Sequence, residues 1–369
     1  MRTATLPKAR PAPATAPAVA VFVDPPSAHY LRDALFDAAD PALNRDGGLL
    51  PYARAREALA QDGIGLHTAD HLHECRYLGT SNHYWSMGPL ENYAALASRG
   101  DVELRGFMLF EPPLVSPGMD AALPQLTRDF AEVFVHNIVG DGYSLRGVDV
   151  TRLRKFHWPQ PYDDVVEPHW SKRQRRNALV VIAGNHNPGR RKPEQYSARI
   201  EAIAELEPLG CIDLFGRGWE RWWSRSSLWR SYWWHRRSLL KAYRGPCDSK
   251  LATLSGYRFS LCLENMPMRG YVTEKIFDCF YSGTVPVYQG GADVAEFVPA
   301  DTFIDARDFA SWSDLWLAIK DMSDAQWQGY RERARTFLAG PGGRAYYRSL
   351  SEIFVRSSRS TGALQRSAS

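Results

Sequence analysis

Short apolar runs alternate with amphipathic stretches along most of the chain, a pattern typical of strands and helices in turn. In the first half, strands are predicted at residues 18–24, 63–67, 104–110 and 132–137, and helices at 52–61, 90–98 and 119–130. A second series has strands at 178–183, 211–215, 257–263 and 284–288, and helices at 197–206, 274–282 and 323–338. This alternation predicts mostly parallel sheets covered by helices on both faces.

Residues 151–176 interrupt the alternation with proline, aromatic and charged side chains, so we interpret them as a linker. The flanking domains then comprise residues 18–150 and 177–345, a division that suits a chain of 369 residues. Residues 1–17 are predicted to be a disordered leader, and residues 346–369 a C-terminal helix with a frayed tail. We therefore expect an α/β fold of two Rossmann-like domains facing a cleft, with ligands at the carboxyl ends of the strands.

Composition narrows the class of protein. Apolar residues make up 44% and charged residues 23% of the chain, which excludes a mostly disordered or collagen-like protein. A net charge of +4 is too small to indicate a nucleic-acid partner by itself. The five cysteines form no C-x-x-C pair, which favours a reducing compartment. No apolar window is long enough to span a bilayer, so we expect a cytoplasmic protein.

The densest chemistry lies in residues 257–290, which read YRFSLCLENMPMRGYVTEKIFDCFYSGTVPVYQG. A buried strand ends at Glu264, a loop follows, and Thr273 is placed to cap a helix that opens with Glu274 and Lys275. The start of a helix offers N–H groups and a positive dipole that suit phosphate, and Lys275 adds a full positive charge. Glu274 is placed to accept hydrogen bonds from ribose hydroxyls. On spacing alone, an ordinary capped helix with solvated charges explains the pattern equally well.

The same segment, with the later FVPADTFIDARDF, resembles the donor-binding signature of the alpha-1,3/1,4-fucosyltransferase family, in a bacterial-type form. The resemblance is strong over residues 257–309, looser back to about residue 178 and faint before that. It implies a GT-B architecture with an acceptor-side N-terminal domain and a C-terminal domain that binds GDP-fucose. It also implies fucose transfer with inversion at the anomeric carbon. No cofactor or essential metal belongs to the implied chemistry.

Matching the family pattern position by position assigns donor binding to five residues: Arg199, Asn265, Tyr271, Glu274 and Lys275. Arg199 resembles the arginine that holds the pyrophosphate. The role suits arginine because its planar guanidinium group can donate hydrogen bonds to two phosphate oxygens at once. The chain departs from the family at Met266, where a serine is usual, and near residues 183–185. These departures affect fine donor contacts rather than the class of donor.

Inverting transfer also needs a base to take the proton of the acceptor hydroxyl. Glu111 follows a predicted strand at the point where the chain turns, and it resembles the glutamate of the family's N-terminal domain. A loop glutamate with no special role is the alternative. Glu91 and His83 are weaker candidates for the base.

Residues 219–244 hold half of the tryptophans and, with Arg217, carry a net charge of +7. At helical spacing, Trp222, Trp229, Trp233 and Leu240 share one face, with Arg225, Arg236 and Arg237 nearby. Such a face is typical of peripheral contact with an anionic membrane and suits a lipid-linked glycan acceptor. The alternative is a hairpin that packs its tryptophans on its own domain. The neighbouring signature argues against single-stranded nucleic acid as the partner.

The run ADHLHEC at residues 69–75 contains metal-ligand types, but the chain offers no second cluster with metal spacing. It contains no D-x-D, G-x-G-x-x-G or G-x-x-x-x-G-K-[ST] motif, which argues against metal-dependent GT-A, dehydrogenase and P-loop enzymes. The sequence therefore predicts an inverting GDP-fucose transferase that acts on a surface glycan, in the cytoplasm or at the inner face of the membrane. Another GDP-deoxyhexose donor, or a catalytically silent glycan-binding protein of the same fold, remain the alternatives.

Overall fold

The computed structural model describes residues 17–189, 192–221 and 229–366. Residues 1–16 of the predicted leader, and Trp222 and Arg225 of the predicted tryptophan face, lie outside the described residues. Two six-stranded sheets form the centres of two α/β domains, and every strand pairing recorded within them is parallel.

The N-terminal sheet has the strand order β2-β1-β3-β4-β5-β6. Its strands are β1 (Val19–Asp24), β2 (Gly65–Thr68), β3 (Ser81–Ser86), β4 (Val102–Met108), β5 (Glu132–Val135) and β6 (Leu153–Lys155). The helices between them are α1 (Leu50–Gln61), α2 (Ala69–His73), α3 (Tyr93–Leu96) and α4 (Pro117–Asp129). The strand β6 lies within the stretch predicted as a linker and pairs with β5, so residues 153–155 belong to the first sheet.

The C-terminal sheet has the order β12-β11-β10-β7-β8-β9. Its strands are β7 (Arg176–Ile182), β8 (Ile212–Phe215), β9 (Tyr243–Gly245), β10 (Tyr257–Leu263), β11 (Val285–Gln289) and β12 (Ile304–Asp305). The helices are α5 (Glu167–Trp170), α6 (Tyr196–Leu206), α7 (Arg230–Ala242), α8 (Lys250–Leu254), α9 (Glu274–Ser282), α10 (Trp312–Ile319), α11 (Asp324–Ala339) and α12 (Pro341–Arg366). The central strands β10 and β7 are buried on both faces, as expected for a parallel sheet between helix layers.

The last helix, α12, leaves the C-terminal domain and packs on the N-terminal one. Its Leu350, Ile353 and Phe354 join the core formed by β1, β4 and α1. The Phe354 ring meets the Trp85 ring edge-on at a centroid distance of 4.8 Å. The helix extends to Arg366, and it contacts α1 of the N-terminal domain along its length.

The loop before α9 also joins the two domains. Asp141 accepts a hydrogen bond from the backbone N–H of Arg269 at 2.6 Å, and Asn137 donates to the Arg269 carbonyl at 3.1 Å. Gly270 has a φ of +71°, and a Cβ atom there would lie 2.2 Å from the carbonyl oxygen of His136. Only glycine permits this close approach, which fixes the loop of the donor signature against the N-terminal domain.

Candidate active site

A cavity of about 500 Å³ opens between the domains at the carboxyl ends of the C-terminal strands. Five of the six predicted site residues line it: Glu111, Arg199, Asn265, Glu274 and Lys275. Its wall also contains Lys250 and Asp278, which the sequence did not single out. Folding therefore brings the predicted base from the N-terminal domain into the same space as the predicted donor residues.

A second cavity of about 560 Å³ continues from the first along the cleft. The two share Lys250, Glu274, Asp278 and the backbone after β7. The opposite wall contains the aromatic residues Tyr52 and Phe110 of the N-terminal domain and Trp158 of the segment that follows β6. Cavities of this volume suit a nucleotide on one side and a further group on the other.

Glu264 organises the polar wall from behind. This carboxylate is fully buried at the end of β10 and accepts a hydrogen bond from the Thr273 backbone N–H at 2.9 Å. The Lys275 ammonium donates to it at 2.9 Å, and the Tyr288 hydroxyl lies at 3.3 Å. A buried carboxylate requires such partners, and here they hold the start of α9 and its lysine in place.

Thr273 acts differently from the prediction. It occupies the cap position of α9, but its hydroxyl bonds to Glu264 at 2.8 Å and makes no capping hydrogen bond to the helix. The buried carboxylate is the stronger acceptor for the hydroxyl because it is charged. The start of α9 is therefore left facing the cavity without that cap, with Glu274 and Lys275 as its first two residues.

The charge states of Glu274 and Lys275 in the cavity wall follow from the charged side chains beside them. Burial by itself raises the pKa of Glu274, but Lys275 and Lys250 outweigh it and hold the pKa at about 2. Burial lowers the pKa of Lys275, but Glu264 and Glu274 outweigh it and raise the pKa above its usual value. Glu274 is therefore an ionised acceptor and Lys275 a protonated donor at neutral pH.

Arg199 and Tyr271 are both buried, in different relations to the cavity. Arg199 is 5% exposed, lines the cavity, and donates through Nη2 to the carbonyl of Leu263 at 2.7 Å. Tyr271 is fully buried and is not among the residues that line this cavity, and its part in donor binding stays a prediction. Its ring packs against His136 at 4.8 Å, with the Lys275 ammonium 6.0 Å from the ring centre.

Glu111 follows β4 and faces the donor residues across the cleft. Its side chain is exposed, yet the cleft walls partly remove its water. This desolvation, followed by the charge of Glu274, raises the pKa of Glu111. The weaker candidates for the base lie elsewhere: Glu91 is exposed on a loop, and His83 is fully buried in β3, 3.5 Å from Glu103. Neither lines the cavity.

The predicted tryptophan face is not formed as expected. Trp229 precedes α7 and donates through Nε1 to Asn185 at 3.1 Å, while Trp219 is buried and donates to the Ala183 carbonyl at 2.7 Å. Both tryptophans therefore pack on their own domain. On α7 itself, Trp233 is 41% and Trp234 is 74% exposed. With exposed Arg230, Arg237 and Lys241 they form one helical face, which we call the α7 face.

The run ADHLHEC does not gather metal ligands. His71 lies 3.6 Å from Asp33, which also bonds to His67 at 2.9 Å and to Arg56 at 3.1 Å. Across residues 17–189, 192–221 and 229–366, no group of three or more His, Cys, Asp or Glu side chains is placed to hold a metal ion. Nor is any helix in these ranges long and apolar enough to cross a bilayer.

Two parallel α/β domains facing a cleft, with cations and a helix start on the C-terminal wall, define a glycosyltransferase fold of the GT-B type. Residues 173–335 match the model of glycosyltransferase family 10 (fucosyltransferase), C-terminal part. The C-terminal domain is therefore a family 10 fucosyltransferase domain.

Relatives and solved structures agree with this assignment. The human alpha-(1,3)-fucosyltransferase 7 is 38% identical over 184 residues, which cover 47% of this chain and 45% of that protein. The Helicobacter pylori alpha-(1,3)-fucosyltransferase FucT is 43% identical over 67 residues, covering 18% of this chain and 14% of that protein. The chain thus spans less than half the length of these relatives. A crystal structure of an alpha1,3-fucosyltransferase shares the fold, with a TM-score of 0.52, 16% identity and 92% coverage of both chains.

Proposed function

We propose that this protein transfers fucose from GDP-fucose to a hydroxyl of a glycan, with inversion at the anomeric carbon. One observation carries the proposal: a carboxylate of the N-terminal domain, Glu111, shares a cavity with the cations and helix start of the family 10 domain. A nucleotide sugar and an acceptor hydroxyl both fit such a cleft.

The donor half of the cavity suits a nucleoside diphosphate. Lys275 at the start of α9 and the Arg199 guanidinium provide fixed positive charge for two phosphates. The ionised Glu274 next to Lys275 accepts hydrogen bonds from the two ribose hydroxyls. Because Lys275 is already held by Glu264, its charge is in position before the nucleotide arrives.

The transfer step follows from the placement of Glu111. Its carboxylate takes the proton of the acceptor hydroxyl, and the acceptor oxygen forms a bond to the anomeric carbon. The bond between that carbon and the phosphate oxygen breaks, and the electron pair leaves with GDP. Lys275 and Arg199 stabilise the negative charge that develops on the phosphates, the kind of contribution that is large in a preorganised site.

The direct test is transfer from GDP-fucose to an array of glycan acceptors, with the anomeric configuration of the product read by NMR. We expect release of GDP together with a product whose configuration is opposite to that of the donor. A product of retained configuration contradicts inversion, and transfer of a different deoxyhexose in preference to fucose favours the alternative donor. If GDP and glycan bind but GDP-fucose is never consumed, the protein is a silent glycan-binding protein.

We also propose that the reaction needs no metal ion. Lys275, Arg199 and Lys250 supply the positive charge that a metal gives to the leaving group in other transferases. Turnover in excess chelator should stay within about twofold of the untreated enzyme. A loss that added Mg²⁺ or Mn²⁺ restores contradicts the proposal.

The α7 face suggests where the acceptor lies. Two exposed tryptophans among three exposed cations are the composition of helices that lie on anionic membranes. We propose that this face holds the protein at the inner surface of the membrane, where a lipid-linked glycan of a surface polysaccharide is presented.

A further inference from the structure

A second interdomain contact lies apart from the residues of the donor signature. A tight turn of the N-terminal domain at Asp46, whose φ is +51°, meets residues 247–250 of the C-terminal domain. The Asp46 carboxylate accepts hydrogen bonds from the Ser249 hydroxyl at 2.5 Å and from the Lys250 backbone N–H at 2.8 Å. Next to it, Arg45 donates to the carbonyls of Cys247 and Asp248 at 2.9 and 2.5 Å. We call this contact the Asp46 clasp.

The Asp46 clasp holds Lys250, whose ammonium group lies in the donor cavity. Ser249 caps α8 through a bond to the Ala252 N–H at 3.2 Å, so Asp46 and α8 share the same hydroxyl. Lys250 is the first residue of α8 and points across the cavity. Its ammonium lies 3.0 Å from an Asp278 oxygen and 3.7 Å from a Glu274 oxygen.

The position of this ammonium decides the charge of the cavity. The lining contains the carboxylates of Glu111, Glu274 and Asp278 and the cations of Arg199, Lys250 and Lys275. If Lys250 moves away, Asp278 loses its cation and Glu274 keeps only Lys275, so an incoming diphosphate meets more negative charge. Charges a few ångströms apart in a partly buried site interact strongly enough to change anion affinity measurably.

We propose that Asp46 is a positioning residue for donor binding. Through Ser249 and the backbone of Lys250, it holds the Lys250 ammonium between Glu274 and Asp278. The N-terminal domain thereby sets the charge of a donor cavity built almost wholly by the other domain. The inference rests on the proposed function in one respect, that the donor carries GDP.

Asp46 and Lys250 can each be substituted separately. Asp46→Ala removes both acceptors without touching a residue that lines the first cavity, whereas Lys250→Met removes the cation and keeps the length of the side chain. Asp248→Asn is the matched control, because its side chain is exposed and its part in the clasp is the backbone carbonyl.

The test is the affinity for GDP by calorimetry, with the melting temperature of each variant recorded in parallel. We expect Asp46→Ala and Lys250→Met each to weaken GDP binding about tenfold, and the double variant to be no weaker than Lys250→Met alone. The KM for donor should rise correspondingly, with the KM for acceptor unchanged. Asp248→Asn should bind GDP like the wild type.

Two results overturn the inference. Wild-type GDP affinity in Asp46→Ala shows that the clasp does not position the cation, and additive losses in the double variant show that Asp46 acts independently of Lys250. If Asp46→Ala fails to fold, Asp46→Asn is used instead: it keeps one acceptor oxygen and so at most one of the two hydrogen bonds, and it should weaken GDP binding by a smaller factor. A wild-type protein that binds no GDP refutes the proposed donor and this inference together, whereas a failure limited to Asp46→Ala leaves the proposed function intact.

Discussion

At the scale of single residues, the arrangement around Lys275 is fixed before any donor binds. Its ammonium pairs with the fully buried Glu264, and the hydroxyl of Thr273 lies 2.9 Å away. Charges that are already oriented need no rearrangement when negative charge develops on a leaving group. The structure thus shows that Glu264 and Thr273 hold Lys275 in place, a role that the sequence motif did not reveal.

We predict that Lys275→Ala and Arg199→Ala each lower kcat/KM for GDP-fucose by about 100-fold, or roughly 3 kcal/mol of transition-state stabilisation. Each change removes fixed positive charge from the phosphates. The measurement is GDP release with saturating acceptor, and Lys172→Ala, an exposed lysine outside the cavity lining, is the matched control. Near-normal rates in both variants would remove these residues from the phosphate site.

The rate of transfer should depend on pH through Glu111. A base acts in its ionised form, and desolvation together with Glu274 raises the pKa of Glu111. The rate should therefore fall as the pH drops through this raised pKa, at a higher pH than the ordinary glutamate value of 4.5 implies.

Glu111→Gln should bind GDP normally and lower the transfer rate by about 10²-fold or more. Its remaining rate should no longer fall as the pH drops. Rates measured between pH 4 and 8 on both proteins separate the outcomes. A variant that keeps both the wild-type rate and its fall at low pH would show that another group takes the proton.

The motif predicts residues that are close along the chain but not those that only folding brings together. Glu274, Lys275 and Asn265 lie in one short segment and were found from it. Lys250 lies outside the signature and joins the site because α8 packs beside α9, whereas Asp278 lies inside the signature, one turn after Glu274, and was overlooked. The burial of Tyr271 could not be predicted either, because a sequence does not show whether an aromatic ring lines a cavity or packs behind it.

At the scale of elements, most predicted strands and helices are present, because strongly apolar strands and amphipathic helices leave clear patterns. The strand β10 and the helix α9 have the predicted bounds. The strand β3, SNHYWS, was missed because its sequence lacks an apolar run. It is buried all the same, and Asn82 satisfies its amide with the carbonyl of Asp101 at 3.0 Å.

The α7 face gives a prediction at this scale. The protein should sediment with phosphatidylglycerol vesicles at low salt and lose most of this binding at high salt, because surface charges are screened over about 10 Å at 0.1 M. Substituting Trp233 and Trp234 with Ala, or Arg230, Arg237 and Lys241 with Gln, should reduce it severalfold.

Leu317→Ala, which removes another exposed apolar side chain on a different helix, should leave sedimentation unchanged. Sedimentation that is absent at every salt concentration would show that α7 is a solvated surface of its own domain.

At the scale of the whole molecule, the two domains are joined by more than the chain between them. The helix α12 completes the N-terminal core, the loop at Gly270 contacts that domain, and the Asp46 clasp forms a third contact between the domains. A parallel sheet pattern predicts two domains, but it gives no sign that the last helix belongs to the first of them. Apolar periodicity shows that a helix has a buried face, not what covers it.

Phe354→Ala should destabilise the N-terminal domain by about 3–5 kcal/mol, the usual effect of truncating a buried aromatic side chain. The Phe354 side chain is fully buried against Trp85, so urea unfolding followed by tryptophan fluorescence should detect the change. Glu352→Ala, on the exposed side of the same helix, should change stability by less than about 0.5 kcal/mol. Equal losses of unfolding free energy in the two variants would show that α12 contributes nothing to the N-terminal core.

The return of α12 has a consequence for biosynthesis. The N-terminal domain is translated first, yet Leu350, Ile353 and Phe354 of its core emerge from the ribosome only after the whole C-terminal sheet. At roughly 5–20 residues per second, the about 200 residues between Phe156 and Phe354 impose a delay of about 10–40 s. During that interval Trp85 lacks its last neighbour, so a nascent chain should be most vulnerable to proteases and most dependent on chaperones in the half that was made first.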